Sequence, residues 1–172
     1  MKTLQLTALT ITFLLAFLPA ASSAAPFTLS VDGSEVIDQG TGLIWRRCTE
    51  GMLWKGATCI NDITACTHAN TAIPATFTHE EALSCAEKIS ATTGQLWRLP
   101  NIKELSSIVD ITLSPAIDAN FPATPIDRVF WSASPYVGNA AVAWVVYFSY
   151  GNVYYSLSRA IPGYVRLVRA GQ

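Results

Sequence analysis

The side chains of this sequence that are most able to do chemistry are four cysteines and two histidines: Cys48, Cys59, Cys66, Cys85, His68 and His79. An even number of cysteines in a short exported chain indicates a disulfide framework, and the N-terminus, described below, predicts export. Four cysteines allow three pairings. We favour Cys48–Cys59, which closes a loop containing two glycines, and Cys66–Cys85, which ties a loop to a predicted helix.

The same residues are a poor match to a metal site or a catalytic centre. The cysteines are separated by 10, 6 and 18 residues, so there is no Cys-x-x-Cys pair, and the histidines are not four residues apart. The sequence has no Gly-x-Ser-x-Gly, His-Glu-x-x-His or phosphate-binding glycine-loop motif. A Ser/His/Asp triad needs no adjacency in sequence, but only His68 and His79 could supply its base. We therefore expect no metal, no cofactor and no enzymatic activity, with a metal site and a triad as the alternatives.

Aromatic side chains near the C-terminus favour binding chemistry instead, since their faces stack on apolar ligand faces and tyrosine hydroxyls add polar contacts. Strand alternation places Trp144 and Tyr155 in the core. Tyr147, Tyr150 and Tyr154 are out of phase with that set or lie at a turn, so we predict that they are exposed and contact a ligand. The alternative is that all of them are ordinary sheet residues.

Arginines are the second candidate ligand contacts, because a guanidinium pairs well with a sulfate or another oxyanion. Apart from Arg98, which is discussed below, the candidates are Arg46, Arg47, Arg128, Arg159, Arg166 and Arg169. Of these we single out Arg128, Arg159 and Arg166. The alternative is scattered solubilising arginines with one or two buried pairs. The formal net charge of −1 counts against a strongly basic surface and against nucleic-acid binding.

The first 24 residues have the pattern of a secretory signal peptide. Lys2 is followed by an apolar stretch and then by small residues that end at Ala24, after which we expect cleavage. The alternative is an uncleaved N-terminal anchor, for which the stretch is short, since a span needs about 20 apolar residues. We expect residues 25–172 to form a single domain without a membrane span, in the periplasm, at the cell surface or secreted.

Two helices with the same start signal are predicted in the middle of the chain. Thr78 with Glu81, and Asn101 with Glu104, are both capping boxes. A hairpin precedes these helices, and a disulfide-held loop follows that hairpin at residues 48–77. Further strands are predicted at 129–134, 141–149, 153–158 and 164–169. Strands, then helices, then strands predict an α+β fold.

One motif before the second helix places an arginine in an apolar run. We interpret it as structural, with Trp97 and Leu99 packed inward, Pro100 fixing the entry to the helix, and Arg98 paired with a carboxylate or with backbone carbonyls. The motif comprises Trp97, Arg98, Leu99, Pro100, Asn101 and Glu104.

The stretches "VIDQGTGLIWRRC", "WRLPNIKELSSIVD", "FWSASP", "WVVYFSYGNVYY" and "YVRLVR", taken in order, resemble the Legionella collagen-like protein C-terminal domain family. The resemblance covers roughly residues 34 to 170. Two of the elements are also distantly similar to the Fibrobacter major paralogous domain and the formylglycine-generating enzyme superfamily. This wider similarity implies a C-type-lectin-like fold, with two helices packed on an irregular antiparallel sheet and the N- and C-terminal strands paired.

The resemblance implies an adhesin-like domain at a bacterial cell envelope or surface that binds a glycan, including sulfated glycosaminoglycans, or a protein. It also implies a homo-oligomer, although this chain lacks a collagen-like Gly-X-Y segment. Every cysteine precedes residue 86, whereas formylglycine-generating enzymes use reactive cysteines late in the chain, so that activity is not expected here. We therefore predict an exported, non-enzymatic binding domain. The alternatives are a structural or assembly component of a surface appendage, and an enzyme on a related fold.

Overall fold

The computed structural model describes residues 26–62, 66 and 75–171. The predicted signal peptide and His68 lie outside these residues. The described elements are β1 (Phe27–Leu29), β2 (Glu35–Asp38), β3 (Leu43–Arg46), β4 (Met52–Trp54), β5 (Cys59–Asn61), α1 (His79–Thr93), α2 (Ile102–Ser107), β6 (Phe130–Pro135), β7 (Val142–Tyr147), β8 (Asn152–Ser158) and β9 (Val168–Ala170). Helices and antiparallel sheets together confirm the α+β class.

The N-terminal sheet has the strand order β1-β2-β3-β9, and all of its neighbours are antiparallel. The predicted hairpin of β2 and β3 is confirmed, with Val36 opposite Trp45 and both side chains fully buried. The last strand pairs with this hairpin, since Leu43 of β3 lies opposite Ala170 of β9. The two ends of the described chain are therefore held in one sheet.

The second large sheet is three-stranded, with the order β6-β7-β8, and both of its faces are partly covered. Val145 of β7 packs in the apolar cluster that contains the buried face of α1, while Val146 packs in the cluster of Leu105 and Ile108 from the α2 segment. Neighbouring residues of a strand point to opposite faces. The sheet is therefore the central layer between the two helices.

Both helices begin at the predicted residues because both capping boxes form. The Thr78 hydroxyl accepts from the Glu81 N–H, and the Glu81 carboxylate accepts from the Thr78 N–H at 2.7 Å. Asn101 and Glu104 make the same reciprocal pair at 2.9 and 2.8 Å. Each box satisfies backbone N–H groups that a helix start leaves without partners. α1 ends at Gly94, whose positive φ of 67° favours glycine.

The disulfides are Cys48–Cys59 and Cys66–Cys85, which is the pairing favoured from the sequence. The predicted loop at 48–77 is partly wrong, because it contains the β4–β5 hairpin. Each strand of that hairpin has only three residues, which is too short for alternation to be visible in the sequence.

The motif before α2 links the two large sheets. The Arg98 N–H donates to the Val168 carbonyl at 2.9 Å, and the Val168 N–H donates back at 3.0 Å. The Pro100 carbonyl accepts from the N–H of Ala133 in β6 at 2.7 Å, and Trp97 is buried as predicted. The Arg98 guanidinium meets the two Glu104 oxygens at 2.8 and 2.7 Å. The motif therefore connects β9 to β6 through backbone hydrogen bonds. The Arg98 side chain binds Glu104, the carboxylate that caps α2.

Candidate ligand-binding surface

The three-stranded sheet carries no charged side chain. Residues 129–158, which include all of β6, β7 and β8, contain no Asp, Glu, Lys, Arg or His. The same stretch holds both Trp131 and Trp144 and five of the six tyrosines of the chain. Whatever this sheet recognises, its own side chains can offer only aromatic faces, hydroxyls, amides and apolar groups.

Three of its aromatic rings contact one another and form what we call the aromatic surface: Tyr136, Trp144 and Tyr155. The Tyr136 and Tyr155 rings stack with centroids 4.7 Å apart, and Trp144 meets them edge-on at 6.0 and 5.4 Å. Tyr155 is 49% exposed, while the other two rings are half-buried. A cluster of this kind presents an apolar face whose rings hold one another in place.

The exposure of Tyr155 contradicts the prediction that it is a core residue, and Trp144 is only half-buried. The pairing of β7 with β8 shifts between Ala143 and Val145, so β8 has one extra residue between Tyr154 and Leu157. A bulge of this kind resets the alternation from which burial was inferred. In addition, α2 has six residues and reaches only part of this face.

The predicted ligand tyrosines lie on the other face of the sheet. Tyr154 is directly opposite Val145, and Tyr147 is two residues further along β7, so alternation places both rings away from Trp144. Tyr147 and Tyr150 meet edge-on with centroids 5.8 Å apart, and Tyr150 is 70% exposed. We call Tyr147, Tyr150 and Tyr154 the turn tyrosines; their role in binding stays a prediction.

The predicted arginines do not converge. Arg166 is fully buried, which contradicts its selection as a surface contact. Its guanidinium donates to the carbonyls of Arg46 and Arg47 and to the hydroxyls of Thr49 and Thr124, the last at 2.8 Å. Burial lowers the pKa of this guanidinium, although the charge of Glu50 opposes that effect. Arg166 therefore holds the loop after β3 and is not available to a ligand.

The other two predicted arginines flank the uncharged stretch at its two ends. Arg128 is half exposed, and its Nε lies 4.0 Å from Asp127. Arg159 is half-buried, and its carbonyl accepts from the N–H of His79 at the start of α1 at 2.9 Å. Neither guanidinium makes a described ring contact with the aromatic surface.

His79 and the group Glu50, Cys66 and Cys85 make structural contacts. His79 is buried and donates through Nε2 to the Ser132 carbonyl at 3.0 Å, and burial lowers its pKa. Glu50 has a carboxylate oxygen within 4.8 Å of the sulfurs of Cys66 and Cys85. Those sulfurs form a disulfide and Glu50 pairs with Arg46 at 3.3 Å, so this group presents no thiolate to a metal.

A groove of about 310 Å³, which sequence reasoning missed, lies beside the N-terminal sheet. Trp54 and Trp97 line it together with charged residues that are paired internally, such as Glu35, whose carboxylate binds Arg169 at 2.7 Å. Asp32 is also in the lining, and hydrogen bonds from Ser30 and Ser34 lower its pKa to about 2. The charged side chains that line this groove are therefore largely engaged in contacts within the protein.

A disulfide-bonded α+β domain with an uncharged, aromatic sheet is the class of protein that these features define. The chain belongs to the Lcl C-terminal domain family, whose model matches residues 34–169. This confirms the resemblance to the Legionella collagen-like protein C-terminal domain. No curated protein and no solved structure matches the chain. Neither of the helices in the described residues has the length and apolar character needed to cross a membrane.

Proposed function

We propose that this protein is an exported, non-enzymatic, adhesin-like domain that binds a glycan at the cell envelope or cell surface through the aromatic surface. The observation that carries the proposal is the contact of three partly exposed rings, Tyr136, Trp144 and Tyr155, on a sheet without charged side chains. A sugar ring has an apolar C–H face of similar size to an aromatic ring and hydroxyls around its edge. Such a ring can stack on Trp144 or Tyr155 while its hydroxyls bond to tyrosine and amide groups.

The rigidity of the aromatic surface supports a role in binding. Binding costs free energy when flexible side chains must be ordered. The stacked Tyr136 and Tyr155 rings, 4.7 Å apart, and the half-buried Trp144 are already ordered against one another. A ligand that stacks on them therefore loses little of its interaction free energy to side-chain ordering.

Export is supported by the two disulfides, because such bonds persist in oxidising compartments. The signal peptide at residues 1–24 remains part of the proposal. So does a C-type-lectin-like fold, which is supported by the pairing of the last strand with the N-terminal hairpin and by the two helices on the sheets.

The test is a glycan array probed with purified protein of residues 25–172. We expect binding to at least one glycan class. Tyr155→Ala should reduce that binding about tenfold, since losing one stacking ring costs roughly 1 kcal/mol or more. Tyr150→Ala is the matched control, because Tyr150 is an exposed tyrosine of the same sheet region but lies outside the aromatic surface.

The absence of binding to any glycan would contradict the proposal. If Tyr150→Ala abolishes binding and Tyr155→Ala does not, the turn tyrosines are the site and the aromatic surface is not.

A second candidate, a structural or assembly role, is favoured by apolar residues close to the aromatic surface. Val137 is fully exposed and Val153 is 42% exposed, and exposed apolar area of this kind can mark a protein contact. Sedimentation velocity separates the two candidates. Concentration-dependent self-association that Tyr155→Ala removes would favour assembly, whereas a monomer that binds a glycan would favour the first proposal.

A further inference from the structure

We infer that the ligand of the aromatic surface is an uncharged glycan, recognised by stacking and neutral hydrogen bonds without ionic contacts. The inference rests on the proposed function and adds the chemical class of the ligand.

The first observation is the charge of the sheet itself. The rings Tyr136, Trp144 and Tyr155 lie within residues 129–158, which hold no ionisable acid or base other than tyrosine. Both helices contact this sheet, α1 at β6 and α2 at β6 and β7, and α2 lies on the face that Trp144 shares with Val146. Its carboxylate, Glu104, is already bound by Arg98 through two hydrogen bonds, and its other charged residue is Lys103.

The second observation is where the chain does bring arginine and aromatic rings together. Arg47 lies 3.7 Å from the centre of the Trp54 ring, and Arg169 lies 5.1 Å from that of Trp97. Both guanidiniums also bind the protein, Arg47 at the carbonyls of Gly33 and Asn120, and Arg169 at Glu35. Arg166 makes the other described cation–π contacts, with the buried rings of Phe121 and Phe130, and none of these contacts involves the aromatic surface.

A charged ligand would be poorly served by this surface. Placing a sulfate or carboxylate against aromatic rings removes water from the anion, and that cost is recovered only when a cation or several donors replace the water. The sheet offers no cation for this purpose. A neutral sugar has no such cost, because it brings hydroxyls and C–H groups only.

The polar groups that the surface does offer match neutral hydroxyls. The Tyr136 and Tyr155 hydroxyls make no hydrogen bond to the residues that the structure describes, and each can both donate and accept. Asn139, in the loop that follows β6, is exposed; its Oδ1 accepts from the Ala141 N–H at 2.9 Å, and its NH₂ group can still donate. Hydroxyls and amides of this kind bind sugar hydroxyls without preference for charge.

The experiment is an array in which neutral glycan backbones are printed both unmodified and sulfated, probed at 0.05 M and 0.5 M NaCl, roughly a threefold change in screening length. We expect neutral glycans to be bound and their affinity to change less than about twofold between the two salt concentrations. Adding sulfate to the same backbone should not increase affinity. Tyr155→Ala should lower affinity about tenfold at both salt concentrations, and Trp144→Ala should do so as well.

The outcomes separate the inference from the proposed function. Binding of sulfated glycans alone, lost at 0.5 M NaCl, would overturn the inference and leave glycan binding standing. The absence of any glycan binding would overturn both. If neutral glycans bind but neither Tyr155→Ala nor Trp144→Ala weakens them while both variants keep the melting temperature of the wild type, the assignment to this surface is wrong.

Discussion

The two large sheets of this molecule use side chains in opposite ways. Four arginines in or next to β3 and β9 of the N-terminal sheet have partners inside the fold: Arg46, Arg47, Arg166 and Arg169. The three-stranded sheet has no charged residue and leaves three aromatic rings in mutual contact at its surface. These four arginines therefore support the fold, and the exposed face of the three-stranded sheet carries aromatic side chains without charged ones.

Arg166 and Glu50 belong to a buried network in which charged groups support the fold. Arg166 is fully enclosed and Glu50 is nearly so, and burial raises the pKa of the Glu50 carboxyl although Arg46 and Arg166 oppose that effect. A buried charge is tolerated only when neighbouring groups replace its water. The hydroxyls and carbonyls around Arg166 do so, which makes this residue a structural support.

The largest expected effect comes from breaking this network. Arg166→Met should lower the free energy of unfolding by about 3–5 kcal/mol, because it leaves buried carbonyls and hydroxyls without their donor and removes a positive charge that favours the Glu50 carboxylate. Urea unfolding followed by tryptophan fluorescence measures it. Arg128→Met is the matched control, since Arg128 is half exposed, and it should stay within about 0.5 kcal/mol of the wild type. Equal losses for the two variants would show that the buried contacts of Arg166 do not stabilise the fold more than an exposed arginine does.

A second effect concerns the disulfide beside Glu50. Replacing Cys66 and Cys85 together by alanine should cost about 3 kcal/mol, since the bond closes a sequence separation of 19 residues in the unfolded chain. The double variant keeps the Cys48–Cys59 disulfide. The loss of unfolding free energy when that bond is reduced in the double variant serves as the reference for the loss caused by the substitutions. A loss below about 1 kcal/mol would mean that the buried charges, and not the cross-link, hold this part of the fold.

The third effect is smaller and depends on pH. Arg98 hydrogen bonds lower the pKa of Glu104, so the pair stabilises the fold above the unfolded-state pKa of about 4.3 and loses that contribution as the pH falls through the folded-state value. Arg98→Met should therefore cost about 1 kcal/mol at pH 7, a modest value because the pair is partly exposed. The difference in free energy of unfolding between Arg98→Met and the wild type should become smaller below pH 4.

Urea unfolding of Arg98→Met at pH 7, 4 and 3 provides the measurement, with Arg128→Met as the reference at each pH. A difference that stays constant or grows on acidification would show that the ion pair is not the origin of the effect.

The smallest effect on stability is expected on the aromatic surface. Tyr155→Ala should change the free energy of unfolding by less than about 1 kcal/mol, because half of the side chain is already in water. Thermal unfolding checks this. A loss as large as that of Arg166→Met would mean that the ring is needed for the sheet and that its exposure is incidental.

Local chemistry explains which parts of the fold could be predicted from the sequence. The capping boxes at Thr78 and Asn101 depend on residues three apart, and the β2–β3 hairpin depends on a short glycine-containing turn. Such signals act over a few residues. They can therefore be recognised in the sequence without knowledge of the tertiary contacts.

The wrong predictions of burial and exposure have a common cause, because both depend on tertiary contacts. Alternation shows which residues share a face but not which face is covered, and the bulge at Tyr155 changed even the shared face. Arg166 looks like a surface residue in sequence, and only the approach of the loop after β3 and of Thr124 encloses it. The sequence does not reveal the aromatic surface, because alternation does not show which face is covered. It does not reveal the burial of Arg166, because the residues that enclose it are distant in sequence.

We assign ligand binding to the aromatic surface and stabilisation of the fold to the arginines. Isothermal titration of a neutral glycan from the array into the wild type, Tyr155→Ala and an Arg128→Gln/Arg159→Gln double variant tests this assignment directly. Both arginines flank the uncharged stretch of sequence, and neither makes a described cation–π contact with the aromatic surface. We predict about a tenfold loss of affinity for Tyr155→Ala and an unchanged affinity for the double variant. A loss confined to the double variant would contradict this assignment.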